Sequence, residues 1–565
     1  MSTDEAASAV TALADEVARA WFDADPLRAS LLGVHDRAGE LPDLRDDAQR
    51  AVAERMRGLA AAAGRIDRSA LSEADRLTLD VAGAFAEETA LFTDARRPEW
   101  QVTDLFVAPA SAMLIFLPIV TFPEPAPAAA YPERLRRLAA YLETTADRHR
   151  AGIEAGRTPV ARLVRAAVRQ VDDYLALPPE EDPLSRPEPP QGWAGVERWR
   201  TDVEAMLGSV VRPAFRRYRD VLADEIERRG RADDAVGLCW LPGGDELYRT
   251  LVRAYTTTER TPEELHQTGL EIVARLAEEY AELGGRVFGS TDPGAVKARL
   301  REDPALRFAD AAEMLPIARS AVARAEEAAP QWFGRLPRER CRVEAVPEAG
   351  APRAPGAYYE PAALDGTRPG TYFQNTSDPS RFPRHALEFT AHHEAVPGHH
   401  FQISLAHEMK AVPLLRRIAE FTAYDEGWAL YCERLADEMG LYSSDLDRLG
   451  MLTGDSMRAG RLVVDTGMHA LGWSRQRAVD FMRTDTPLAH AEIEVEVDRY
   501  IADPGQALAY MVGRLEIQRM RAEAERRLGY RFDIRSFHDT VLGSGSLPLP
   551  VLADLIDRWV GAQEK

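Results

Sequence analysis

The sequence predicts a mostly α-helical protein with a small β element. From residue 6 to about residue 177 the chain is rich in Ala, Leu and Arg, and apolar residues such as Val10, Leu13 and Val17 recur at helical spacing. Residues 335–375 differ, because β-branched and aromatic residues are set there among Pro and Gly, which is typical of a few short strands. Helices are therefore expected to dominate the fold.

Helix-start signals recur later in the chain. Thr261-Pro262 and Asp503-Pro504 each place a capping side chain before a proline in the first helical turn. At the second start, we expect Gln506 to reach back to the cap as in a capping box.

The amino-acid composition excludes some classes of partner and cofactor site. The formal net charge of −21 and the pI near 5.2 disfavour nucleic-acid and anionic-membrane partners, which attract basic surfaces. Three widely spaced cysteines supply neither a disulfide framework nor a CxxC metal site, and the acidic N-terminus lacks the features of a secretory signal. We therefore predict a cytoplasmic protein with no nucleic-acid or membrane partner.

Two further stretches bear on the organisation of the chain. The most apolar run, residues 106–122, contains two prolines and falls short of the roughly 20 residues of a membrane-spanning helix, so we predict buried core. Residues 178–190, rich in Pro and acidic side chains, are either a linker between domains or a surface loop within one.

The predicted strands precede the most informative motif of the chain. An edge of such a sheet can receive a peptide as an added strand, and Tyr358, Tyr359 and Asn375 are then predicted to contact the substrate. The alternative is an ordinary small sheet that caps the helices.

Residues 391–402 contain four of the chain's 12 histidines. A His-Glu pair followed at short range by another His is how a helix presents two zinc ligands and a general base. His393 and His399 are six positions apart, which on a continuous helix would point them to different faces. Pro397-Gly398 resolves this, because proline breaks the helical ladder and glycine permits a bulge that returns His399 to the side of His393.

The remaining parts of such a metal site can also be identified. Glu394, directly after His393, is the candidate general base. Glu426, an acid among aromatic and apolar residues on a predicted helix, is the candidate third ligand, because a buried carboxylate needs a partner such as a divalent cation. His400 remains an alternative to His399 as the second ligand, and manganese or cobalt remains an alternative to zinc.

These motifs carry a resemblance. His393-Glu394-x-x-Pro397-Gly398-His399, followed by Glu426-Gly427-Trp428-Ala429-Leu430-Tyr431, resembles the bacterial family known as domain of unknown function eight-eight-five. That family is similar to zinc peptidases with a glutamate third ligand, such as oligopeptidases and angiotensin-converting-enzyme-like carboxypeptidases. The resemblance covers most of the chain. It implies His393, His399 and Glu426 as zinc ligands and Glu394 as base, and it implies no particular substrate.

A polar stripe follows the metal motifs. Arg458, Arg461, Asp465 and His469 step by three, four and four positions and so share one face of an otherwise apolar helix. The stripe either faces a cavity or is a solvated face with one salt bridge. In the first case His469 is predicted to stabilise the transition state, and Arg461 or Arg458 to hold a substrate carboxylate.

The helix after Asp503-Pro504-Gly505-Gln506 carries Tyr510. The family resembles this segment closely, and in related zinc peptidases a tyrosine from a late helix donates a hydrogen bond to the developing oxyanion. Tyr510 is therefore the predicted oxyanion donor. The alternative is a core tyrosine with a satisfied hydroxyl.

Together these features predict a mostly α, two-lobed, metallopeptidase-like fold around a deep central channel, with a small β element and zinc on the channel wall. Residues 1–235 are predicted to form an N-terminal helical lobe and residues 236–565 the zinc peptidase-like catalytic region, both parts of one catalytic unit.

The predicted function is zinc-dependent hydrolysis of amide bonds in short peptides, of carboxypeptidase, dipeptidase or oligopeptidase type, by metal-activated water with a Glu general base. Two alternatives stay open. One is a metal-dependent amide hydrolase or tailoring enzyme that acts on a non-peptide metabolite, and the other is a non-catalytic helical binding protein with a relic metal site.

Overall fold

The computed structural model describes residues 3–347, 355–364 and 368–564. The N-terminal part of the chain is helical. Its α-helices are α1 (Thr3–Ala24), α2 (Pro26–Leu31), α3 (Asp46–Arg65), α4 (Glu73–Asp94), α5 (Pro109–Phe116), α6 (Pro125–Glu154), α7 (Ala161–Ala176), α8 (Val196–Met206) and α9 (Arg212–Val221). A π-helical segment, Leu207–Val211, joins α8 to α9.

The middle of the chain contains further helices and a small sheet. The helices are α10 (Gly244–Thr256), α11 (Pro262–Phe288), α12 (Pro293–Glu302) and α13 (Met314–Ala328), and the strands are β1 (Arg342–Ala345), β2 (Ala357–Glu360) and β3 (Thr371–Gln374). β3 lies between the other two, parallel to β1 and antiparallel to β2. Tyr372 of β3 is paired with Val343 on one side and with Tyr359 on the other.

The C-terminal part returns to helices. They are α14 (Leu387–Glu394), α15 (His399–His407), α16 (Leu414–Ile418), α17 (Thr422–Glu438), α18 (Asp445–His469), α19 (Arg475–Asp485), α20 (His490–Ala502), α21 (Ala509–Leu528), α22 (Ile534–Leu542) and α23 (Leu549–Glu564). The predicted fold class, mostly α with a small β element, is confirmed. The two lobes and the deep channel stay predictions.

Hydrophobic burial joins the two ends of the chain. Val10 of α1 and Phe85 of α4 belong to the same buried cluster as Trp428, Ile517 and Leu552 in the C-terminal helices. A second buried cluster lies within residues 27–226. The division of the chain at residue 235 stays a prediction, and the shared first cluster means that the earliest helices pack against the helices that carry the candidate site.

Only one of the two predicted helix starts has the predicted cap. At α11, the Thr261 hydroxyl accepts from the Glu264 backbone N–H while the Glu264 side chain accepts from the Thr261 N–H, so the cap is present. The prediction for Asp503 is wrong. Its carboxylate accepts hydrogen bonds from Arg97 and Tyr255 at 2.7 Å instead of capping the next helix, and Gln506 binds Arg499.

The apolar run over residues 106–122 is only partly buried. Leu117 is fully buried, whereas Phe106 and Ile119 are 56% and 57% exposed, which corrects the prediction of buried core throughout. The short helix α5 and the turn after it present one face to the core and leave the other outside. Among the described residues, none of the helices combines the length and the apolar character needed to cross a membrane.

Residues 178–190 pack against the N-terminal helices. Asp182 is 1% exposed and accepts hydrogen bonds from the Tyr174 hydroxyl and Arg212, and Leu184 is fully buried. The stretch is therefore a loop anchored within the N-terminal helices, not a flexible linker.

Candidate metal centre

The centre is built on a broken helix. α14 ends at Glu394, a turn follows, and α15 begins at His399. This break brings the rings of His393 and His399 to 4.9 Å between centroids, nearly perpendicular to each other. The structure therefore joins the two histidines in the way that Pro397-Gly398 predicts.

Gly398 lies against the carbonyl groups that end α14. A Cβ at this position would lie 1.9 Å from the His393 oxygen and 2.5 Å from the His392 oxygen. Both atoms belong to the backbone and cannot rotate away, so only glycine allows the chain to turn back this tightly.

We expect Gly398→Ala to displace His399, weaken zinc binding and destabilise the protein by ~1–3 kcal/mol, because the added methyl group overpacks a rigid turn. Zinc per chain after dialysis and the midpoint of chemical denaturation measure both effects. Gly58→Ala is the control, since a Cβ there meets no atom within 4 Å. Normal zinc content in Gly398→Ala would contradict this account of the turn.

Close packing of two glycines positions the third candidate ligand. A Cβ at Gly427 of α17 would lie 2.4 Å from the Gly513 Cα of α21, and one at Gly513 would lie 1.7 Å from the Ala423 oxygen. The two helices can approach this closely because neither glycine has a side chain. Glu426, next to Gly427, thereby lies close enough to Tyr510, one turn before Gly513, for its charge to act on the phenol.

The three predicted ligands converge. One ligand atom from each of His393, His399 and Glu426 lies within 4.8 Å of the other two. Glu426 Oε2 is 3.5 Å from His393 Nε2 and 3.3 Å from His399 Nε2. This oxygen is buried and has no hydrogen-bond partner in the described part of the chain, which is a costly state for a carboxylate.

The electrostatics favour a cation between these atoms. Burial by itself raises the pKa of the Glu426 carboxyl, but the neighbouring His399 and His393 rings hold it well below its ordinary value. Burial lowers the pKa of His393, but the carboxylates of Glu426 and Glu433 outweigh burial and raise it to about 9. A positive charge at this point is thus stabilised, and two imidazole nitrogens with one carboxylate oxygen are a donor set that suits Zn²⁺. The residues present therefore fit the metal.

Glu433 was not predicted from the sequence. It lies two turns after Glu426 on α17, is fully buried, and its Oε1 accepts from His393 Nδ1 at 2.9 Å. The sequence could have indicated Glu433, because Glu426 and Glu433 are seven positions apart and therefore share one face of α17.

Glu394 and Tyr510 border the three ligands. Glu394 is half-buried, and its charge acts on the His393 ring, whose pKa it helps to raise. The pKa of the Tyr372 phenol on β3 is raised by burial and, to a smaller extent, by the charge of Glu394. Glu394 therefore lies on the side of the site that borders β3. The Tyr510 ring stacks on the His393 ring with 6.3 Å between centroids.

The two arginines of the polar stripe lie beyond Tyr510. The Arg461 guanidinium is 4.6 Å from the centre of the Tyr510 ring and donates to Tyr500 and Glu496 at 2.9 Å. Its Nη1 is buried and has no partner among the residues that the structure describes. Arg458 is 5.8 Å from the same ring centre and has its Nη2 3.4 Å from Glu433 Oε1. Arg458 Nε is likewise buried without a partner among the described residues, so Arg461 differs from Arg458 in lying closer to Tyr510, and substrate binding by either arginine stays a prediction.

His469 and His400 are not brought to the centre as ligands or catalysts. His469 is fully buried, and its ring nitrogens are bonded to the Leu238 N–H and the Tyr500 carbonyl. Burial lowers the pKa of His469 to about 3, so the ring is neutral and has no nitrogen left for a substrate. His400 Nε2 and Nδ1 contact the Glu339 carbonyl and the Tyr359 hydroxyl, so among the two adjacent histidines it is His399 that joins the candidate ligands.

Two of the predicted substrate contacts in the sheet region have partners of their own. The Tyr359 hydroxyl lies 3.1 Å from His400 Nδ1. The Asn375 amide donates to the Pro355 carbonyl, and its oxygen accepts from Ser377. Their contact with a substrate stays a prediction.

One protein family and several solved structures are similar to this chain. Residues 26–556 match the family described as "Bacterial protein of unknown function (DUF885)". No curated protein matches the chain. A crystal structure of a "putative lipoprotein" from Colwellia psychrerythraea is 26% identical, with a TM-score of 0.90 over 99% of both chains.

Two further solved structures are similar over nearly the whole chain. A "putative lipoprotein of unknown function" from Shewanella oneidensis is 17% identical, with a TM-score of 0.75 over 96% of this chain and 98% of that one. A carboxypeptidase from Pyrococcus furiosus is 10% identical, with a TM-score of 0.41 over 99% of both chains, a likeness too distant to support any inference.

These comparisons contradict the predicted cytoplasmic location. Two similar structures are described as putative lipoproteins, and a lipoprotein is held at a membrane by its lipid rather than free in the cytoplasm. The prediction relied partly on the missing disulfide framework. That argument fails because a chain of 565 residues buries enough core to need no cross-links in any compartment.

Proposed function

The chain belongs to the bacterial family DUF885, and from its candidate metal centre we propose that it is a zinc-dependent hydrolase that cleaves amide bonds in short peptides. The observation that carries the proposal is the position of Glu426 Oε2, a buried oxygen that faces the Nε2 atoms of His393 and His399 and has no hydrogen-bond partner among the described residues. The Glu394 carboxylate directly follows His393 in the sequence, and its charge acts on the His393 ring.

Each neighbouring side chain has a role in this chemistry. When bound, Zn²⁺ supplies Lewis acidity at the scissile carbonyl. The Glu394 carboxylate accepts the proton of the attacking water and delivers it to the leaving amine. The Tyr510 hydroxyl donates a hydrogen bond to the oxygen on which negative charge develops.

The substrate also needs a recognition group, and Arg461 is suited to a carboxylate. Arg461 and Arg499 share the single carboxylate of Glu496, so this cluster of three carries a formal charge of +1. Arg461 Nη1 is the buried donor in the cluster that lacks an acceptor among the described residues. A carboxylate bound there gains a charge-assisted hydrogen bond.

The distances suit a short C-terminal fragment. The Arg461 guanidinium lies 4.6 Å from the centre of the Tyr510 ring, and that ring centre lies 6.3 Å from the centre of the His393 ring. The guanidinium is therefore within about 11 Å of the His393 ring, which belongs to a candidate metal ligand. An extended residue spans about 3.3–3.6 Å. The scissile bond would then lie at most about three residues before the terminal carboxylate, which favours a carboxypeptidase or dipeptidase.

The test compares short peptides that have a free C-terminal carboxylate with the same peptides amidated. We expect the zinc-loaded protein to cleave the free peptides faster, and Arg461→Ala to lower kcat/KM for them by about ten- to a hundredfold, the loss of one charged hydrogen bond. The same variant should change cleavage of the amidated peptides little.

Two results would overturn parts of the proposal. Equal cleavage of free and amidated peptides would remove the role of Arg461 while leaving the hydrolase intact. A protein that binds one zinc per chain and cleaves none of the peptides would overturn peptide hydrolysis itself and direct the search to acylated small molecules.

A further inference from the structure

The Glu433 carboxylate contacts His393 at Nδ1, the ring nitrogen that does not face the other candidate ligands. It is fully buried on α17, and its Oε1 lies 2.9 Å from His393 Nδ1. Taking a carboxylate out of water costs several kcal/mol unless charged or hydrogen-bonding partners compensate it. Its position therefore requires both the imidazole N–H and a balancing charge.

Arg458 supplies the balancing charge. Its Nη2 lies 3.4 Å from the same Glu433 oxygen, and the arginine is 6% exposed. Both groups meet where α18 passes close to α17. A Cβ at Gly454 of α18 would lie 2.4 Å from Glu433 Oε2 and 3.2 Å from Arg458 Nη1, so glycine leaves the room for this pair.

The contact decides which nitrogen of His393 is available. An imidazole that donates from Nδ1 to a carboxylate presents its Nε2 lone pair on the opposite side of the ring. His393 Nε2 is the atom that faces Glu426 Oε2 at 3.5 Å. A carboxylate behind a ligating histidine also makes the imidazole a stronger donor to the metal.

We infer that Glu433, with its charge balanced by Arg458, is a positioning residue that fixes the tautomer and orientation of His393 for zinc. This inference rests on the proposed metal centre. It also changes the predicted role of Arg458, from substrate binding to the support of Glu433.

Zinc affinity, measured by competition with a chelator, tests the inference without reference to activity. We expect Glu433→Ala to bind zinc about 10- to 100-fold more weakly than the wild type. Glu433→Gln keeps an oxygen that accepts from Nδ1–H and is expected to lose less. Glu438→Gln is the matched control, because Glu438 lies on the same helix but pairs with Arg521 at the surface, and it should bind zinc like the wild type.

A second readout separates positioning from general structural damage. The visible absorption of the cobalt-substituted protein should change in Glu433→Gln and stay unchanged in Glu438→Gln, while the metal-free Glu433→Gln protein keeps the wild-type circular dichroism. Wild-type affinity and spectrum in both Glu433 variants would overturn the inference alone. A wild-type protein that binds no zinc would overturn the proposed metal centre, and the inference with it.

Discussion

Replacing Glu426 by alanine is expected to remove zinc from the protein and abolish peptide hydrolysis. Glu426 supplies the charged ligand of the three, and its Oε2 faces both histidine Nε2 atoms at 3.3 and 3.5 Å. Zinc binding to four-ligand peptides is worth about 10–16 kcal/mol, or roughly 3 kcal/mol per ligand. Losing one ligand therefore weakens binding by at least about a hundredfold.

The measurement is zinc per chain after dialysis against a weak chelator, together with turnover of a short peptide. Glu420→Ala is the control, since this glutamate precedes the same helix and its side chain is 71% exposed. It should retain both zinc and turnover. If Glu426→Ala holds zinc as tightly as the wild type, the ligand assignment is wrong.

Glu394→Gln is expected to keep zinc and to lose hydrolysis. The glutamine has the size of the glutamate but cannot take a proton, and positioned proton transfer contributes about 10²- to 10⁴-fold to rate. We therefore expect kcat to fall by roughly that factor. Zinc affinity should change much less than in Glu426→Ala, because Glu394 does not belong to the converging ligand set.

Steady-state kinetics and zinc content on the same Glu394→Gln preparation give the result. Turnover near the wild-type rate would contradict the role of Glu394 as general base, whatever the zinc content. The pair of variants is informative because each removes one carboxylate and only one of them is expected to remove the metal.

The candidate ligands could be predicted because their signals are local in the sequence. Pro397-Gly398 breaks the helix by backbone chemistry that operates in any context, and the residue types His, Glu and His limit what can be bound. The position of Glu426 needed one further step, the argument that an acid among apolar residues requires a partner. The structure brings these three residues together.

The partners of single side chains were predicted poorly. Asp503 looked like a helix cap from its neighbours, but Arg97, 406 positions away, takes its carboxylate. His469 looked catalytic from its helical face, but backbone groups from two other segments bind both ring nitrogens. Phe106 looked buried from its apolar surroundings and is 56% exposed.

The sequence by itself therefore determined the helical class of the fold, the break between α14 and α15, and the types of residue available to hold a metal. These depend on backbone preferences and side-chain chemistry within a few positions. The tertiary structure alone decided that Glu433 contacts His393, that Tyr510 stacks on His393, and that Arg461 lies closer than Arg458 to the Tyr510 ring. Those contacts join residues that lie far apart in the chain, and they form only where the packing of whole helices brings the side chains within bonding distance.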